Sequence, residues 1–127
     1  MTTSALEQAS IGGLPIDIEH TANPLTAEAR AERMRDPGFG RVFSEHMLTI
    51  RWTREGGWQD ARLTPYGPLV LDPATSALHY GQSVFEGFKV YRGADGSVAA
   101  FRPEANARRF QDSSRRLCLP ELPVDVF

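Results

Sequence analysis

Arginines recur at a fixed interval along the last predicted helix of the chain. Arg102, Arg109 and Arg116 are seven residues apart, which places them near one face of a helix. An arginine that follows a strand and a tight entry into a helix is suited to bind a phosphate or carboxylate through two parallel hydrogen bonds. The alternative is an ordinary exposed face, on which Asp112 pairs with Arg108 and Arg116 at a spacing of four residues. For any single arginine the exposed face is the more common arrangement.

Segment 77–89 is the second place where the residue types suggest chemistry. Gly81 and Gly87 lie within it, and glycine permits a close approach of the backbone to a ligand or a positive φ. Tyr80 and Phe85 could form the walls of an apolar pocket, with the Tyr80 hydroxyl as its polar group. Spacing alone favours the other interpretation, in which Phe85 belongs to the core and Tyr80 packs half-buried.

The remaining reactive side chains indicate little chemistry. Lys89 is the only lysine among fourteen basic residues, so it is the one candidate for a lysine-based covalent step, but it has no companion base in the sequence. His46 and His79 are isolated from other metal-ligand types, and we interpret both as structural. The single cysteine, Cys118, excludes a disulfide framework and a cysteine-based zinc site. We therefore expect no metal.

Composition narrows the class of protein. With 127 residues and a net charge of −2, the chain has the size of one domain and lacks the basic excess that nucleic-acid binding needs. No stretch approaches the roughly 18 uninterrupted apolar residues of a membrane-spanning helix. The first basic residue is Arg30, which does not fit a secretory signal or a transit peptide. We expect a cytoplasmic protein without nucleic-acid or membrane partners.

These residues must be positioned by elements that the sequence also predicts. Thr26 offers an N-cap to a helix at 26–35, and a proline opens a second helix at 103–117. Between the helices, alternating apolar and polar residues predict an antiparallel sheet from about 42 to 101. Its hairpins have turns at 55–57 and 93–96. The predicted class is therefore α+β, an antiparallel sheet with flanking helices.

The two ends of the sequence differ from this pattern. Residues 1–22 show no sustained period, and we expect a mobile tail with one docked segment at about 14–18, followed by a small domain at 23–127. Residues 122–127 look like the first turn of another helix, which starts at Pro123. Because the apolar residues of this turn lack a downstream partner, we expect a truncated part of a longer protein.

Several stretches of sequence stand at separations that together identify a family. They are Phe39-Gly40 before Glu45-His46-Met47, Leu78-His79-Tyr80-Gly81 before Ser83 to Tyr91, Phe101-Arg102-Pro103 with Asn106 to Phe110, and Arg115 to Pro120. In this order they resemble the pyridoxal-phosphate enzymes of fold type IV and, among these, the branched-chain amino-acid aminotransferases. The resemblance covers about residues 37–127, and it implies the small N-terminal domain of such an enzyme.

The resemblance implies roles for particular residues. Arg109 would bind the phosphate of pyridoxal 5'-phosphate, the cofactor of this family. Phe39 and Phe85 would line the pocket for a branched aliphatic side chain, and Gly87 would let the substrate pass close to the backbone. Tyr80 would reach into the active site of the partner subunit, which implies a homodimer. The implied reaction transfers an amino group between leucine, isoleucine or valine and 2-oxoglutarate.

The same resemblance implies that no catalytic residue lies in this chain. In the family the Schiff-base lysine lies in a second domain, beyond position 127, and Lys89 matches a different lysine just after the Phe-Glu-Gly motif. We therefore expect the chain alone to be inactive.

Other members of the same fold are the nearest alternatives. D-amino-acid aminotransferases and aminodeoxychorismate lyases share the fold and the phosphate arginine, but Phe39, the stretch 45–47 and the Arg102-Pro103 helix start argue against them. A non-catalytic domain that keeps the pocket residues for folding and partner contact is a further alternative. The unfinished turn at 123–127 favours the enzyme part over that domain.

Overall fold

The computed structural model describes residues 7–127 and divides the chain into two compact units, one up to Leu69 and one from Val70 to Phe127. The first unit contains β1 (Glu7–Ile11), β2 (Leu14–Ile18), α1 (Ala27–Arg33), β3 (His46–Thr53) and β4 (Gly57–Pro65). The second unit contains α2 (Ser76–Tyr80), β5 (Val90–Arg92), β6 (Val98–Ala100) and α3 (Pro103–Arg116). These helices and mainly antiparallel strands confirm the predicted α+β class.

The sheet of the first unit has the strand order β1-β2-β4-β3 and is mixed. β1 and β2 form an antiparallel hairpin whose turn residues, Gly12 and Gly13, have φ of 52° and 79°. Two-residue hairpin turns need such positive values, which glycine adopts without strain. β2 then pairs in parallel with β4, with Ile16 opposite Ala61, and Ala61 is buried. The parallel pair therefore joins the N-terminal hairpin to the rest of the sheet.

This hairpin differs from the mobile tail predicted for residues 1–22. Residues 7–11 and 14–18 pair with each other in the sheet. Gly12 and Gly13 interrupt the strand pattern in the sequence because they form the two-residue turn between the strands. The docked segment predicted at about 14–18 corresponds to β2. Residues 1–6 of the predicted tail lie outside the described residues, and the domain boundary at residue 23 stays a prediction.

β3 and β4 form the first hairpin that the sequence predicts. Their register shifts between Thr49 and Arg51, opposite Asp60, which has φ of 58°. Aspartate is one of the few residues that tolerate this left-handed conformation. The shift interrupts the alternation of the two faces, and Leu48 and Trp52 stay almost half exposed. The predicted buried face of β3 is therefore only partly covered within the described residues.

The second unit has its own small sheet. β5 and β6 pair antiparallel around a turn in which the Gly93 N–H donates to the Ser97 carbonyl at 2.8 Å, which confirms the second predicted hairpin. The prediction of one antiparallel sheet over 42–101 is nevertheless wrong. Prolines and glycines in residues 65–73 interrupt strand pairing, and the apolar run 69–71 forms no strand and is exposed.

α3 forms close to its predicted bounds and contributes two of the buried residues of the second unit. Ala107 and Ser114 on its inner face are each 1% exposed. The predicted turn at 123–127 is present, and the ring of Phe127 lies 5.7 Å from that of Phe110. The turn therefore packs back onto the apolar stripe of α3, as an amphipathic helix of this pattern requires.

Many large apolar side chains stay exposed in the two units. Among residues 7–127, the longest helix is α3 with 14 residues, which is too short and too polar to cross a bilayer. The exposed set includes Phe39, Tyr66, Val70, Tyr80, Phe85 and Phe101. Such an amount of exposed apolar surface is typical of faces that other protein surface covers.

Candidate functional site

An ion pair between Glu86 and Arg109 of α3 is the central feature of the second unit. Arg109 donates from Nε to Glu86 Oε2 at 2.7 Å and from Nη2 to Glu86 Oε1. The two side chains differ in burial, since the Glu86 side chain is 6% exposed and that of Arg109 is 64% exposed. Two parallel hydrogen bonds fix the plane of the guanidinium relative to the carboxylate. A buried acid therefore orients an exposed base.

Asn106 and Gly87 complete the surroundings of the same carboxylate. Asn106 Nδ2 donates to Glu86 Oε1 at 2.9 Å and to the Gly87 carbonyl at 3.0 Å. The Gly87 N–H donates to Glu86 Oε1 at 3.0 Å. Asn106 and Arg109 are three residues apart and share one face of α3, so the helix presents both donors to the segment that contains Glu86.

These donors hold Glu86 in its charged form. Hydrogen bonds from Arg109 first, and then from Asn106, lower the pKa of Glu86 from 4.5 to about 2. The same carboxylate raises the pKa of Arg109 above its ordinary value. The pair is therefore fully ionised at neutral pH.

Arg109 keeps hydrogen-bond donors that Glu86 does not use. A guanidinium has five N–H groups, and Glu86 accepts from Nε and from one hydrogen of Nη2. The other edge of the fork consists of the Nη1 hydrogens and the second Nη2 hydrogen. That edge can bind a phosphate or a carboxylate through two parallel hydrogen bonds. The structure thus leaves Arg109 with the donors needed for the phosphate binding that the family resemblance implies.

The alternative pairing predicted for this helix is wrong. Asp112 accepts from Arg115 Nη1 at 2.8 Å, and Arg115 also donates from Nη2 to Glu121 at 2.7 Å. Asp112 therefore pairs at a spacing of three residues with Arg115, rather than at a spacing of four with Arg108 and Arg116. Of these arginines, Arg115 belongs to a surface network at the end of α3.

The structure places the predicted aromatic pocket residues on the surface of their units. Tyr80 is 86% exposed, Phe85 is 89% exposed and Phe39 is 96% exposed. The interpretation of Phe85 as a core residue is therefore wrong. Tyr80 ends α2, where Gly81 with φ of 61° stops the helix. Phe85 directly precedes Glu86, whereas Phe39 belongs to the first unit.

Sequence reasoning missed Glu86 and Asn106 as members of the site. Two signals could have found them. Glu86 is an acidic residue between an aromatic residue and a glycine, and Asn106 lies three residues before Arg109 on the same helix face. Neither signal predicts that Glu86 and Asn106 contact each other, because twenty residues of sequence separate them.

In the first unit, the partly buried carboxylate of Glu45 connects two elements. Glu45 accepts from the Leu25 N–H at 2.5 Å and from Arg30 Nη2 at 2.8 Å, and these bonds lower the pKa of Glu45. An open cavity of about 540 Å³ lies beside it, with Met34 and Phe43 in its lining. Glu45 thereby ties the start of α1 to the entry of β3.

His46 and His79, interpreted from the sequence as structural, both contact backbone groups. His46 Nε2 accepts from the Thr21 N–H at 3.0 Å, and His79 Nε2 lies 2.5 Å from the Pro73 carbonyl. Among residues 7–127, no three His, Cys, Asp or Glu side chains converge as metal ligands would.

Comparison with known proteins points first to a class, the aminotransferases. No protein-family model matches the chain. It is 59% identical over 112 residues to a probable branched-chain-amino-acid aminotransferase of Streptomyces coelicolor. The matched residues cover 88% of this chain and 31% of that protein. It is 50% identical over 116 residues to the branched-chain-amino-acid aminotransferase of Mycolicibacterium smegmatis, covering 91% of this chain and 32% of that protein. It is 49% identical over 84 residues to branched-chain-amino-acid aminotransferase 2 of Bacillus subtilis, covering 66% of this chain and 23% of that protein.

More particularly, the chain is a homologue of the N-terminal part of the branched-chain-amino-acid aminotransferases, which confirms the predicted resemblance. The chain spans about a third of the length of the first two of these relatives.

Proposed function

We propose that the chain is the small-domain part of a fold-type IV branched-chain amino-acid aminotransferase, and that Arg109 binds the phosphate of its pyridoxal 5'-phosphate. The observation that carries the proposal is the state of Arg109. One edge of its guanidinium is fixed by Glu86, and among residues 7–127 the other edge has no hydrogen-bond partner. The chain is 59% identical to a relative named as a probable branched-chain-amino-acid aminotransferase.

The donor set of Arg109 fits the cofactor that the family implies. A phosphate dianion accepts from two parallel N–H groups of a guanidinium, and the open edge of Arg109 offers such a pair. Pyridoxal phosphate, when bound, supplies the electron sink for moving an amino group between an amino acid and a 2-oxo acid. The part of Arg109 in this proposal is to anchor and orient the phosphate end of the cofactor.

The exposed aromatic residues support an apolar substrate pocket. We propose that Phe39 and Phe85 line the pocket for the branched side chain and that Tyr80 enters the partner subunit's site in a homodimer. Gly87 carries no positive φ, and a Cβ built there meets Phe85 Cζ at an ordinary 3.6 Å. Neither the backbone nor the packing within the unit requires glycine at this position, which supports the role that the resemblance implies, close passage of the substrate.

The remainder of the reaction is assigned to protein outside these residues. Lys89 is exposed beside β5, and we propose that it is not the lysine that holds the cofactor. The chain alone then binds no cofactor covalently and transfers no amino group. We place the complete enzyme in the cytoplasm, acting on leucine, isoleucine or valine with 2-oxoglutarate.

A chimera tests this proposal. In it, residues 1–127 replace the matching segment of the Streptomyces coelicolor relative. We expect amino transfer from L-leucine to 2-oxoglutarate, with little turnover of D-alanine or aminodeoxychorismate. Preference for either of the latter two substrates would reassign the chain within the fold, and absence of all three activities in a chimera that binds cofactor would favour a non-catalytic domain.

Two arginine variants of the chimera separate the cofactor anchor from a general charge effect. Arg109→Ala is expected to raise the dissociation constant of pyridoxal phosphate by about ten-fold or more, since a charge-assisted bidentate contact is lost. Arg108→Ala, the neighbouring exposed arginine, is the matched control and leaves the constant nearly unchanged. The dissociation constants are measured by the visible absorbance of bound cofactor. Equal effects of the two substitutions would contradict the role of Arg109.

A further inference from the structure

We propose that Glu86 is a positioning residue, which aims the open edge of Arg109 at the phosphate of the cofactor. The proposal deepens the proposed function and rests on it. Glu86 touches no part of the ligand in this scheme and acts only through the guanidinium of Arg109.

The burial of the two partners carries the first step. An exposed arginine side chain ordinarily samples many rotamers, and fixing it costs conformational entropy. Here a carboxylate that is 6% exposed binds Nε and Nη2 of a side chain that is 64% exposed. The entropy of the Arg109 side chain is thus lost on folding rather than on anion binding, which is the meaning of preorganisation.

The second step is that the carboxylate itself has no freedom to turn. Its Oε1 accepts from Asn106 Nδ2 at 2.9 Å and from the Gly87 N–H at 3.0 Å, while both oxygens accept from Arg109. Asn106 is anchored in turn on the Gly87 carbonyl at 3.0 Å. Two residues of α3 and one stretch of backbone therefore fix the plane in which the open edge of Arg109 lies.

Charge and geometry predict opposite effects of Glu86→Gln on phosphate binding, and this makes the proposal testable. A carboxylate next to an anion site repels the anion, so charge alone predicts that Glu86→Gln tightens phosphate binding. Positioning predicts the reverse, because glutamine offers one acceptor oxygen in place of two. The sign of the change decides between the two effects.

The experiment measures dissociation constants of the chimera for pyridoxal phosphate and for pyridoxal, which lacks the phosphate. The ratio of the pyridoxal constant to the pyridoxal phosphate constant measures the contribution of the phosphate anchor and separates it from general damage to the fold. Glu86→Gln is expected to reduce this ratio about ten-fold, Asn106→Ala to reduce it by less, and Glu104→Gln, in the exposed first turn of α3, to leave it unchanged. In an Arg109→Ala background, Glu86→Gln should have no further effect on the ratio.

Three outcomes would contradict the proposal. An unchanged or increased ratio in both Glu86→Gln and Asn106→Ala overturns positioning while leaving Arg109 as the anchor. A full effect of Glu86→Gln in the Arg109→Ala background shows that Glu86 does not act through Arg109. If Arg109→Ala alone leaves the ratio unchanged, both this inference and the proposed anchor fail.

Discussion

At the scale of single residues, Glu86 stays charged because both its oxygens are hydrogen-bonded. Its partners are a guanidinium, an amide and a backbone N–H, and together they supply what water would supply outside the protein. The exposed Arg109 receives a fixed orientation in return. In the proposed function, the buried acid and the exposed base together present the remaining guanidinium donors of Arg109 to the phosphate.

The lowered pKa of Glu86 predicts how stability depends on pH. The group has its pKa at about 2 in the folded chain and near 4.5 when unfolded, so the unfolded state binds more protons between these values. The stabilisation is complete above pH 4.5 and is lost as the pH falls towards 2. The free energy of unfolding of the chimera should therefore fall across this window more steeply than that of Glu86→Gln. Parallel curves for the two proteins would show that Glu86 is not the titrating group.

At the scale of elements, α3 serves two surfaces at once. Its inner face buries Ala107 and Ser114 and receives the C-terminal turn through Phe110 and Phe127. Asn106 and Arg109 point to the segment that contains Glu86. The packing of the inner face therefore determines where α3 places the side chains of Asn106 and Arg109.

Two alanine-to-leucine substitutions in α3 test how tightly its inner face is packed. Ala107→Leu adds volume at a fully buried position and is expected to destabilise the protein by about 1–3 kcal/mol. Ala105→Leu makes the same change at an exposed position of the same helix and should shift stability little. Thermal unfolding of the two chimeras provides the comparison. Similar melting temperatures would mean that the inner face of α3 is not tightly packed.

At the scale of the whole molecule, the described residues bury few apolar side chains and expose many. Within residues 7–127, the buried hydrophobic residues are Ala61, Ala107 and Val126, all small or medium in size. A chain with so small a core leaves apolar faces that other protein surface must cover. The chain spans about a third of the length of the first two relatives described above, which agrees with the small number of buried apolar residues.

The isolated chain should therefore behave differently from the chimera. We expect the 127-residue chain alone to bind the dye ANS strongly and to self-associate, because its exposed aromatic and aliphatic faces have no cover. The chimera should bind less dye per molecule. Dye fluorescence and sedimentation velocity measure the two properties, and a monodisperse chain with weak dye binding would contradict the expectation.

Much of the local structure was predictable because its causes are local. Thr26 accepts from the Ala29 N–H at 3.2 Å and caps α1, and a proline opens α3, both as capping rules predict. The turns of the two hairpins also lie where glycine-containing pairs and clusters indicate them. The parallel pairing of β2 with β4 was not predictable, because strand partners distant in sequence leave no local signal.

The amino-acid sequence by itself determined the family resemblance, which depends on residue types at fixed separations and which implies Arg109 as the phosphate-binding residue. Only the tertiary structure decided what surrounds that arginine. Glu86 and Asn106 meet across twenty residues of chain, and the hydrogen bonds that keep Glu86 charged and orient Arg109 form only when α3 packs against the segment before β5. Orientation and burial are properties of packed surfaces, and a linear pattern does not contain them.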